Sequence, residues 1–318
     1  HCNFGTEYEV CRLAKKLNVP VLLWGPRDEC PDENGMRLRD SQCGLFATGK
    51  VLRRFGIPFT YLKNCNLEDE CFAEGIDRFL RVCNVVKAFR NTRVLQISTR
   101  PFDFWSTMCN EGELLEKFGI QLSPIPMPEL TQAMKDVKEN SPEEIKEVTD
   151  YCREKMCIKV TPEQLDNVAA IQCWNALQDE IGIMPCAANA LCNDEGFPIA
   201  CETDIHGTIT SVLVEAAAMG ETRSFFADWT VRHPYNDNAE LLQHCGPWPI
   251  SIAKEKPTID TPVAFDCSGS LMAQAKDGEH ISLVRFDGDN GEYSLLLGNA
   301  KTVDGPYTKG TYMWVEVE

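Results

Sequence analysis

The sequence predicts an α/β protein in which a parallel, doubly wound sheet domain is followed by a smaller, mostly antiparallel β domain. Over residues 1–220, segments with a helical period of apolar residues alternate with short strand-like runs, and this alternation is typical of parallel strands joined by crossover helices. After residue 247, helical periods are few, and strand-like runs are separated by turn-forming segments such as residues 287–291. We therefore predict domains over residues 1–220 and 221–318.

Each predicted element follows from a local pattern. A helix is predicted where apolar residues recur at helical spacing behind a capping residue such as Asp40 or Ser41, and a strand where a short apolar run is bounded by turn residues. Residues 135–159 read as a charged helical excursion that Pro142 breaks. The first domain is predicted to contain helices over residues 6–17, 40–55, 68–89, 111–118 and 205–219, and strands over residues 19–24, 58–62, 93–98, 121–126, 168–174 and 197–201. The second is predicted to contain strands over residues 281–286, 291–297 and 312–317.

Composition limits the classes of partner. The chain has 318 residues, 43% of them hydrophobic, which is enough to bury a sizeable core, and its formal net charge is −17. An acidic surface offers no counter-charge to nucleic acid or to an anionic membrane, so we expect neither as a partner. Because no apolar stretch approaches the roughly 20 residues that span a bilayer, we expect a soluble, cytoplasmic protein.

Cysteine usage points to reduced thiols. The sequence has 16 cysteines, but they are scattered, and no two stand in a Cys-x-x-Cys pair. Disulfide scaffolds concentrate their cysteines in short secreted chains, and structural zinc sites need paired spacing. Neither framework fits this pattern, so we expect free thiols.

Three polar residues each adjoin a short apolar run and face a loop. Glu202 follows the predicted strand over residues 197–201. Asp228 closes an aromatic run with strand preference, residues 224–227, and His244 precedes a Gly-Pro breaker. Because residues 205–219 have a helical period, Glu202 is predicted to lie on a strand-to-helix turn. Open α/β sheets place their ligands at such turns, outside the carboxyl ends of the strands.

Two carboxylates and one imidazole form a ligand set for a divalent cation. A site rich in oxygen with a single nitrogen suits Mn²⁺ or Mg²⁺ better than Zn²⁺, for which thiolates and several imidazoles are expected. The alternative for each acid taken alone is a helix cap or a solvated loop residue, which is the more common role of an acid at the end of a strand. The combination of Glu202, Asp228 and His244 favours the metal site.

Other polar and aromatic residues near these three have two readings each. Asp204 either orients Glu202 or caps the following helix. Trp174 and Trp229 either stack on the ring of a bound ligand or belong to the core. The remaining candidates have mainly structural readings: His206, His233 and His280 as capping or solvated residues, Cys201 and Cys245 as neutral packing residues, and Arg100, Phe102 and Trp105 as a surface loop.

The residues around the candidate ligands resemble a known superfamily. The segment 185–207, which includes Gly196-Phe197-Pro198-Ile199-Ala200-Cys201-Glu202-Thr203-Asp204, is similar to the L-fucose isomerase and L-arabinose isomerase superfamily, as are Phe226-Ala227-Asp228 and Gln243-His244-Cys245-Gly246. Here 26 residues separate Glu202 from Asp228, and 16 separate Asp228 from His244. In that superfamily, a glutamate, an acid and a histidine at comparable spacing bind Mn²⁺.

The resemblance implies further properties. It implies that the chain consists of the family's middle α/β domain and β-rich C-terminal domain, without the N-terminal domain. Independently of the resemblance, the chain begins without methionine in a helix that no strand precedes, so we expect sequence before residue 1 to be missing or removed. The resemblance also implies a homo-oligomer, a trimer or a hexamer, in which a neighbouring subunit helps to close the pocket. Some members supply another histidine near the C-terminus, but no histidine follows His280 in this sequence.

The chemistry implied is that of an intramolecular oxidoreductase that interconverts an aldose and a ketose. A proton moves between neighbouring carbons of a monosaccharide through a cis-enediol, which a chelated cation stabilises. We assign Glu202 and Asp228 as the acid/base pair and all three residues as ligands of Mn²⁺, with Mg²⁺ or Co²⁺ as alternatives. Two other hypotheses stay open: another enediolate-forming metal enzyme, such as an epimerase or aldolase, and a sugar-binding protein without turnover.

Overall fold

A computed structural model describes residues 2–5, 7–161, 182, 184–262 and 267–318. The chain divides into two compact units, residues 1–86 and 87–318. The helices and strands confirm an α/β fold with a mostly antiparallel β part. The predicted strand over residues 168–174, together with Trp174, lies outside the described residues. The predicted domain boundary near residue 220 stays a prediction.

The first unit alternates helices with short parallel strands. Strands β1 and β2 pair in parallel, with Leu22 opposite Thr60, and both are shorter than predicted. The buried residues Cys11, Leu23 and Leu45 belong to one cluster, which packs α1 and α2 against β1. The elements are α1 (Glu7–Leu17), β1 (Leu22–Leu23), α2 (Ser41–Arg54), β2 (Thr60–Tyr61) and the start of α3 (Glu70–Arg90).

The second unit begins with a parallel strand pair flanked by helices. Strand β3 pairs with β4 from Arg93 opposite Gln121 onwards. The side chain of Asn110 caps the intervening helix, which ends at the left-handed Gly119 (φ 75°) as a C-terminal glycine should. The elements are β3 (Arg93–Ile97), α4 (Glu111–Phe118), β4 (Gln121–Ile125), α5 (Met127–Asn140) and α6 (Pro142–Lys155), the last two divided at Pro142 as the sequence predicts.

The second unit also contains a mixed sheet of eight strands. Strand order is β10-β11-β12-β9-β8-β5, while β7 pairs with β12 and β6 pairs with β7. Pairing is antiparallel except between β12 and β9 and between β5 and β8. The strands are β5 (Cys157–Ile158), β6 (Asp228–Arg232), β7 (Ala239–His244), β8 (Thr258–Asp260), β9 (Ser270–Gln274), β10 (His280–Asp289), β11 (Glu292–Val303) and β12 (Thr311–Val317).

Two helices pack against this sheet and carry the segments of interest. Helix α7 (Cys186–Asp194) shares a buried cluster with α6, β8 and β9 that includes Ala190, Ile259 and Leu271. Helix α8 (Ile205–Ala218) packs on β10 and ends in left-handed backbone at Met219, next to the predicted stop at Gly220. No helix among the described residues is both long and apolar enough to cross a bilayer.

The strand predicted over residues 197–201 does not form, and that prediction is wrong. Phe197 is 63% exposed, and its amide donates to the carbonyl of Cys192 at the end of α7. The amide of Ile199 donates to the side chain of Asn193. Because α7 satisfies these amides, the segment needs no strand partner.

Asp228 occupies a different place from the one predicted. It begins β6, opposite Gln243 of β7, instead of closing a strand over the preceding aromatic residues. The amide of Phe226 donates to the carbonyl of Pro247, so the aromatic run is held by a loop rather than by a sheet. His244 ends β7, in agreement with the predicted position after an apolar run.

Candidate functional site

Glu202 lies on a tight turn in which the amide of Asp204 donates to the carbonyl of Cys201 (2.9 Å). Both central residues, Glu202 and Thr203, have left-handed backbone, with φ of 54° and 57°. This conformation is uncommon outside glycine and asparagine, and each such residue costs about 1–3 kcal/mol when the surrounding structure enforces it. Two strained residues in succession, the first bearing a candidate ligand, point to a functional turn.

His244 is fixed from both sides at the end of β7. Its backbone pairs with Thr311 of β12, whose hydroxyl donates to the His244 carbonyl (3.0 Å). Its ring lies edge-on to Phe226, with 5.2 Å between the ring centres. The side chain is 5% exposed, so the imidazole is held in one place by its surroundings.

The two carboxylates converge on one atom of this imidazole. Oε2 of Glu202 lies 3.3 Å from Nε2 of His244, and Oδ2 of Asp228 lies 4.0 Å from the same nitrogen. The Glu202 side chain is 11% exposed, whereas that of Asp228 is 66% exposed. The structure therefore brings together all three residues that the sequence singles out.

This donor set fits a divalent cation. Two carboxylates, one from a turn and one from the start of β6, meet at the same imidazole nitrogen on the wall of one cavity, and carboxylate oxygens with a neutral imidazole suit Mn²⁺, Mg²⁺ or Co²⁺. The sulfur of Cys201 also lies within 4.8 Å of the ligand atoms of Glu202 and His244. Our prediction for this buried thiol is a neutral packing residue.

Asp204 caps helix α8 and pairs with an arginine. Its carboxylate accepts a hydrogen bond from the amide of Gly207 (2.9 Å) and is bridged by the guanidinium of Arg285 from β10. The sequence predicts that Asp204 either orients Glu202 or caps the following helix, and the hydrogen bond from Gly207 confirms the cap. The same residue lines the cavity beside Glu202.

Trp229 does not line the site. Trp229 is 52% exposed and lines a separate cavity of about 660 Å³, between α8 and the sheet. Trp174 lies outside the described residues. Sugar stacking by either residue therefore stays a prediction.

A cavity of about 560 Å³ contains the three candidate ligands. Its wall combines residues from the loop after β3, the turn before α8, the start of β6, the end of β7, the start of β9, β10 and the segment before β12. The lining residues are Phe104, Ser106, Thr107, Glu202, Asp204, Phe226, Asp228, Gln243, His244, Cys245, Pro262, Ser270, Arg285, Asp287, Lys309 and Gly310.

The loop after β3 reaches this cavity through residues that the sequence did not single out. Phe104, Ser106 and Thr107 line the cavity, whereas the exposed Phe102 and Trp105 do not. Burial, together with the negative charges of Glu111 and Asp204, raises the pKa of the Cys109 thiol in the same loop. That thiol is therefore protonated at neutral pH.

Strand β10 supplies two further charged residues that the sequence did not reveal. Arg285 and Asp287 are two positions apart, so they point to the same face of the sheet, towards the cavity. Asp287 accepts a hydrogen bond from Nδ1 of the buried His206 (2.9 Å), and Phe286 donates its amide to the Thr210 hydroxyl. The i, i+2 alternation of charge along this strand was the available signal.

His206 is thus a buried, paired residue rather than a solvated one. Its side chain is 2% exposed and packs edge-on to Phe286 and Tyr293. His233 packs on Trp314 and lies away from the cavity, and His280 is 71% exposed.

Comparison with known proteins identifies relatives along nearly the whole chain. Residues 1–90 match the family described as fucose/sulfoquinovose isomerase, N-terminal domain. A sulfoquinovose isomerase of Priestia aryabhattai is 26% identical over 329 aligned residues, which cover 96% of this chain and 72% of that protein. The sulfoquinovose isomerase of Alkalicoccus urumqiensis is 25% identical over 309 residues, covering 92% of this chain and 68% of that protein.

These matches support the resemblance of the chain to the fucose isomerase-like superfamily. The resemblance carried by the residues around Glu202, Asp228 and His244 is thereby confirmed. A more distant superfamily member, the sulfoquinovose isomerase of Clostridium sp. (strain MSTE9), is 23% identical over 79% of this chain. Since residues 1–90 match an N-terminal domain of the superfamily, they resemble at least part of the domain that the sequence led us to expect missing.

Proposed function

We propose that this protein is a Mn²⁺-dependent aldose–ketose isomerase with sulfoquinovose as its substrate. The observation that carries the proposal is the convergence of Glu202 and Asp228 on Nε2 of His244, at 3.3 and 4.0 Å, inside one cavity. Two carboxylates and an imidazole can supply both the proton transfers of this reaction and the ligands of a divalent cation. The curated relatives, all named sulfoquinovose isomerases, favour it over other chemistries.

The two carboxylates divide the proton transfers. Converting an aldose to a ketose moves one proton from C2 to C1 and another from the C2 oxygen to the C1 oxygen, with no net gain or loss. Glu202 and Asp228 act as the base and acid of these transfers, and their different exposure, 11% against 66%, gives them different surroundings for the two roles. His244 binds the cation through Nε2, the atom that both carboxylates approach.

Glu202, Asp228 and His244 would hold Mn²⁺, which when bound would supply Lewis-acid polarisation of the sugar's carbonyl and hydroxyl oxygens. The protein's contribution is to fix the donors before substrate arrives. The strained turn holds Glu202, the β7–β12 pairing holds His244, and the β6–β7 pairing holds Asp228. Such preorganisation avoids moving charged groups during the reaction.

The proposed substrate comes from the relatives and from the cavity. Sulfoquinovose is a hexose that carries a sulfonate on C6, so it needs room for a sugar chain and a partner for one negative charge. The cavity volume of about 560 Å³ lies in the ~300–1,000 Å³ range of small-molecule sites. Assembly into a trimer or hexamer is part of the proposal, by resemblance to the superfamily.

The test uses the purified protein, Mn²⁺ and a panel of aldoses that includes sulfoquinovose, followed by NMR in D₂O. The proposal expects the ketose, with deuterium entering at C1 to the extent that the transferred proton exchanges with solvent. Epimers or cleavage products indicate the alternative enediolate chemistry, and tight binding without any product indicates a sugar-binding protein.

Variants assign the roles. Glu202→Gln and Asp228→Asn remove a proton carrier while keeping the side-chain shape, so turnover is lost in both and the fold is kept. Glu240→Gln, on the same strand as His244 but outside the cavity, is the matched control and keeps its turnover. Full activity in Glu202→Gln overturns its role as base or acid.

A further inference from the structure

Lys309 and Gly310 immediately precede β12 and lie beside the candidate metal ligand His244. The side-chain amide of Gln243 donates to the Lys309 carbonyl (3.0 Å). Gly310 has φ of +99°, and a Cβ placed there would lie 2.5 Å from Nε2 of Gln243 and 2.6 Å from the carbonyl oxygen of His244. Only glycine allows this close approach, so the backbone of Lys309 is fixed at the rim of the cavity.

Among the described residues that line the cavity, one cationic side chain has no acidic partner. Acidic side chains predominate: Glu202, Asp204, Asp228 and Asp287. Of the two lining cations, Arg285 is committed to Asp204. The ammonium group of Lys309 makes no hydrogen bond or ion pair with any residue in the part of the chain that the structure describes.

We propose that Lys309 binds the sulfonate of the substrate and thereby sets its specificity for a singly charged anionic sugar. This inference rests on the proposed function. A sulfonate carries one negative charge, which a single ammonium group balances through charge-assisted hydrogen bonds. The hydroxyl of Ser106, which lines the same cavity, provides a neutral donor to the same group.

The charge of a single ammonium group decides between two kinds of anion. A phosphate ester carries about 1.5 to 2 negative charges at neutral pH, which the ammonium group of Lys309 balances only in part, and Asp287 adds a negative charge on the same wall. Like-charge repulsion then opposes a sugar phosphate more than it opposes a sulfonate. The site is therefore selective for the sulfonated hexose over the hexose 6-phosphate.

The test compares wild type, Lys309→Met and Lys309→Arg on three substrates: sulfoquinovose, the uncharged 6-deoxyglucose and glucose 6-phosphate. Methionine keeps the length of the side chain and removes its charge. The expected result is a KM for sulfoquinovose raised on the order of 10- to 100-fold in Lys309→Met, because a hydrogen bond to a charged group is lost. Its kcat stays within a few-fold of wild type, the KM for 6-deoxyglucose does not change, and arginine restores most of the loss.

Two controls keep the result interpretable. Lys301→Met removes an exposed lysine of β11 outside the cavity and leaves both KM values unchanged. Increasing ionic strength raises the KM for sulfoquinovose in wild type but not in Lys309→Met, since only the former has an ion pair to screen.

An unchanged KM for sulfoquinovose in Lys309→Met overturns the inference, as does an equal rise for sulfoquinovose and 6-deoxyglucose. Turnover of glucose 6-phosphate as efficient as that of sulfoquinovose overturns the selectivity for one charge. If wild type converts none of these sugars, the proposed function fails by itself. Calorimetric binding of sulfoquinovose then still tests Lys309, through its weakening in Lys309→Met or its persistence there.

Discussion

Oε2 of Glu202 lies 3.3 Å from Nε2 of His244, although the two residues are 42 positions apart and belong to different elements. Glu202 is presented by a strained turn ahead of α8, and His244 by the last residue of β7. The position of each is set by separate backbone contacts, so their proximity reflects the fold and not local flexibility.

Removing the cap of α8 costs both stability and activity. In Asp204→Ala the helix loses a side-chain acceptor, which is worth about 0.5–2 kcal/mol, and Arg285 loses its partner at the cavity wall. Urea unfolding and turnover are the measurements. Asn110→Ala removes the equivalent cap of α4, whose Asn110 side chain accepts from the amide of Glu113, and lowers stability without changing turnover. Equal effects of the two variants on turnover contradict the account.

The strain in the turn at Glu202 and Thr203 lowers the stability of the protein but holds the Glu202 side chain in place. Thr203→Gly relieves about 1–3 kcal/mol of left-handed strain at a branched residue. Glycine also has more conformational freedom in the unfolded chain, which lowers the stability by roughly 0.5–1 kcal/mol. We expect a more stable protein with a lower kcat, because Glu202 is less firmly held. Thermal unfolding and steady-state kinetics test both parts, and a variant that is less stable than wild type contradicts the strain.

Gly207 is required by close packing at the start of α8. A Cβ at this position lies 2.6 Å from Oδ2 of Asp204 and 2.7 Å from the ring of Phe226. Gly207→Ala therefore destabilises the fold by about 1–3 kcal/mol. The control is Gly112→Ala on α4, where the nearest atom is at 3.5 Å and alanine stabilises the helix by roughly 0.5–1 kcal/mol. The opposite signs are measured by urea unfolding, and a shared sign refutes the packing argument.

The hydroxyl of Tyr293 loses its proton at a higher pH than that of an ordinary tyrosine. Burial, with a hydrogen bond from its hydroxyl to Oε2 of Glu113 (3.0 Å) and the negative charge there, raises the pKa of Tyr293 to about 12. The neutral phenol is the form favoured on folding. The resulting stabilisation is complete below the ordinary tyrosine pKa of about 10 and is lost as the pH rises towards 12.

The measurement for Tyr293 is the phenolate absorbance of wild type minus that of Tyr293→Phe, which isolates one of seven tyrosines. A difference curve centred near the ordinary value disagrees with the burial. In Glu113→Gln the same curve shifts to lower pH, because the negative charge is gone.

Local patterns predicted the elements that carry the site, and non-local contacts explain what they missed. Helix α8 was recognisable from its apolar period and from Asp204 as a capping residue, and β7 from its apolar run before a breaker. The strand over residues 197–201 was wrong because amides that look available in sequence are satisfied by the end of α7.

The rest of the cavity depends on pairings between distant parts of the chain. Arg285, Asp287 and Lys309 reach the cavity only because β10 packs on α8 and β12 pairs with β7. For Lys309 no local signal distinguishes the residue from an ordinary charge on a solvated strand, and for Arg285 and Asp287 the i, i+2 alternation of charge is the one local signal.

Above all, we propose that Glu202, Asp228 and His244 hold one divalent cation together. Titration of Mn²⁺, followed by the electron paramagnetic resonance signal of the free ion, measures this independently of any substrate. The account predicts one tight site per chain in wild type, much weaker binding in Glu202→Gln, Asp228→Asn and His244→Ala, and unchanged binding in Cys201→Ser. Equal Mn²⁺ affinity in wild type and in all three ligand variants would contradict it.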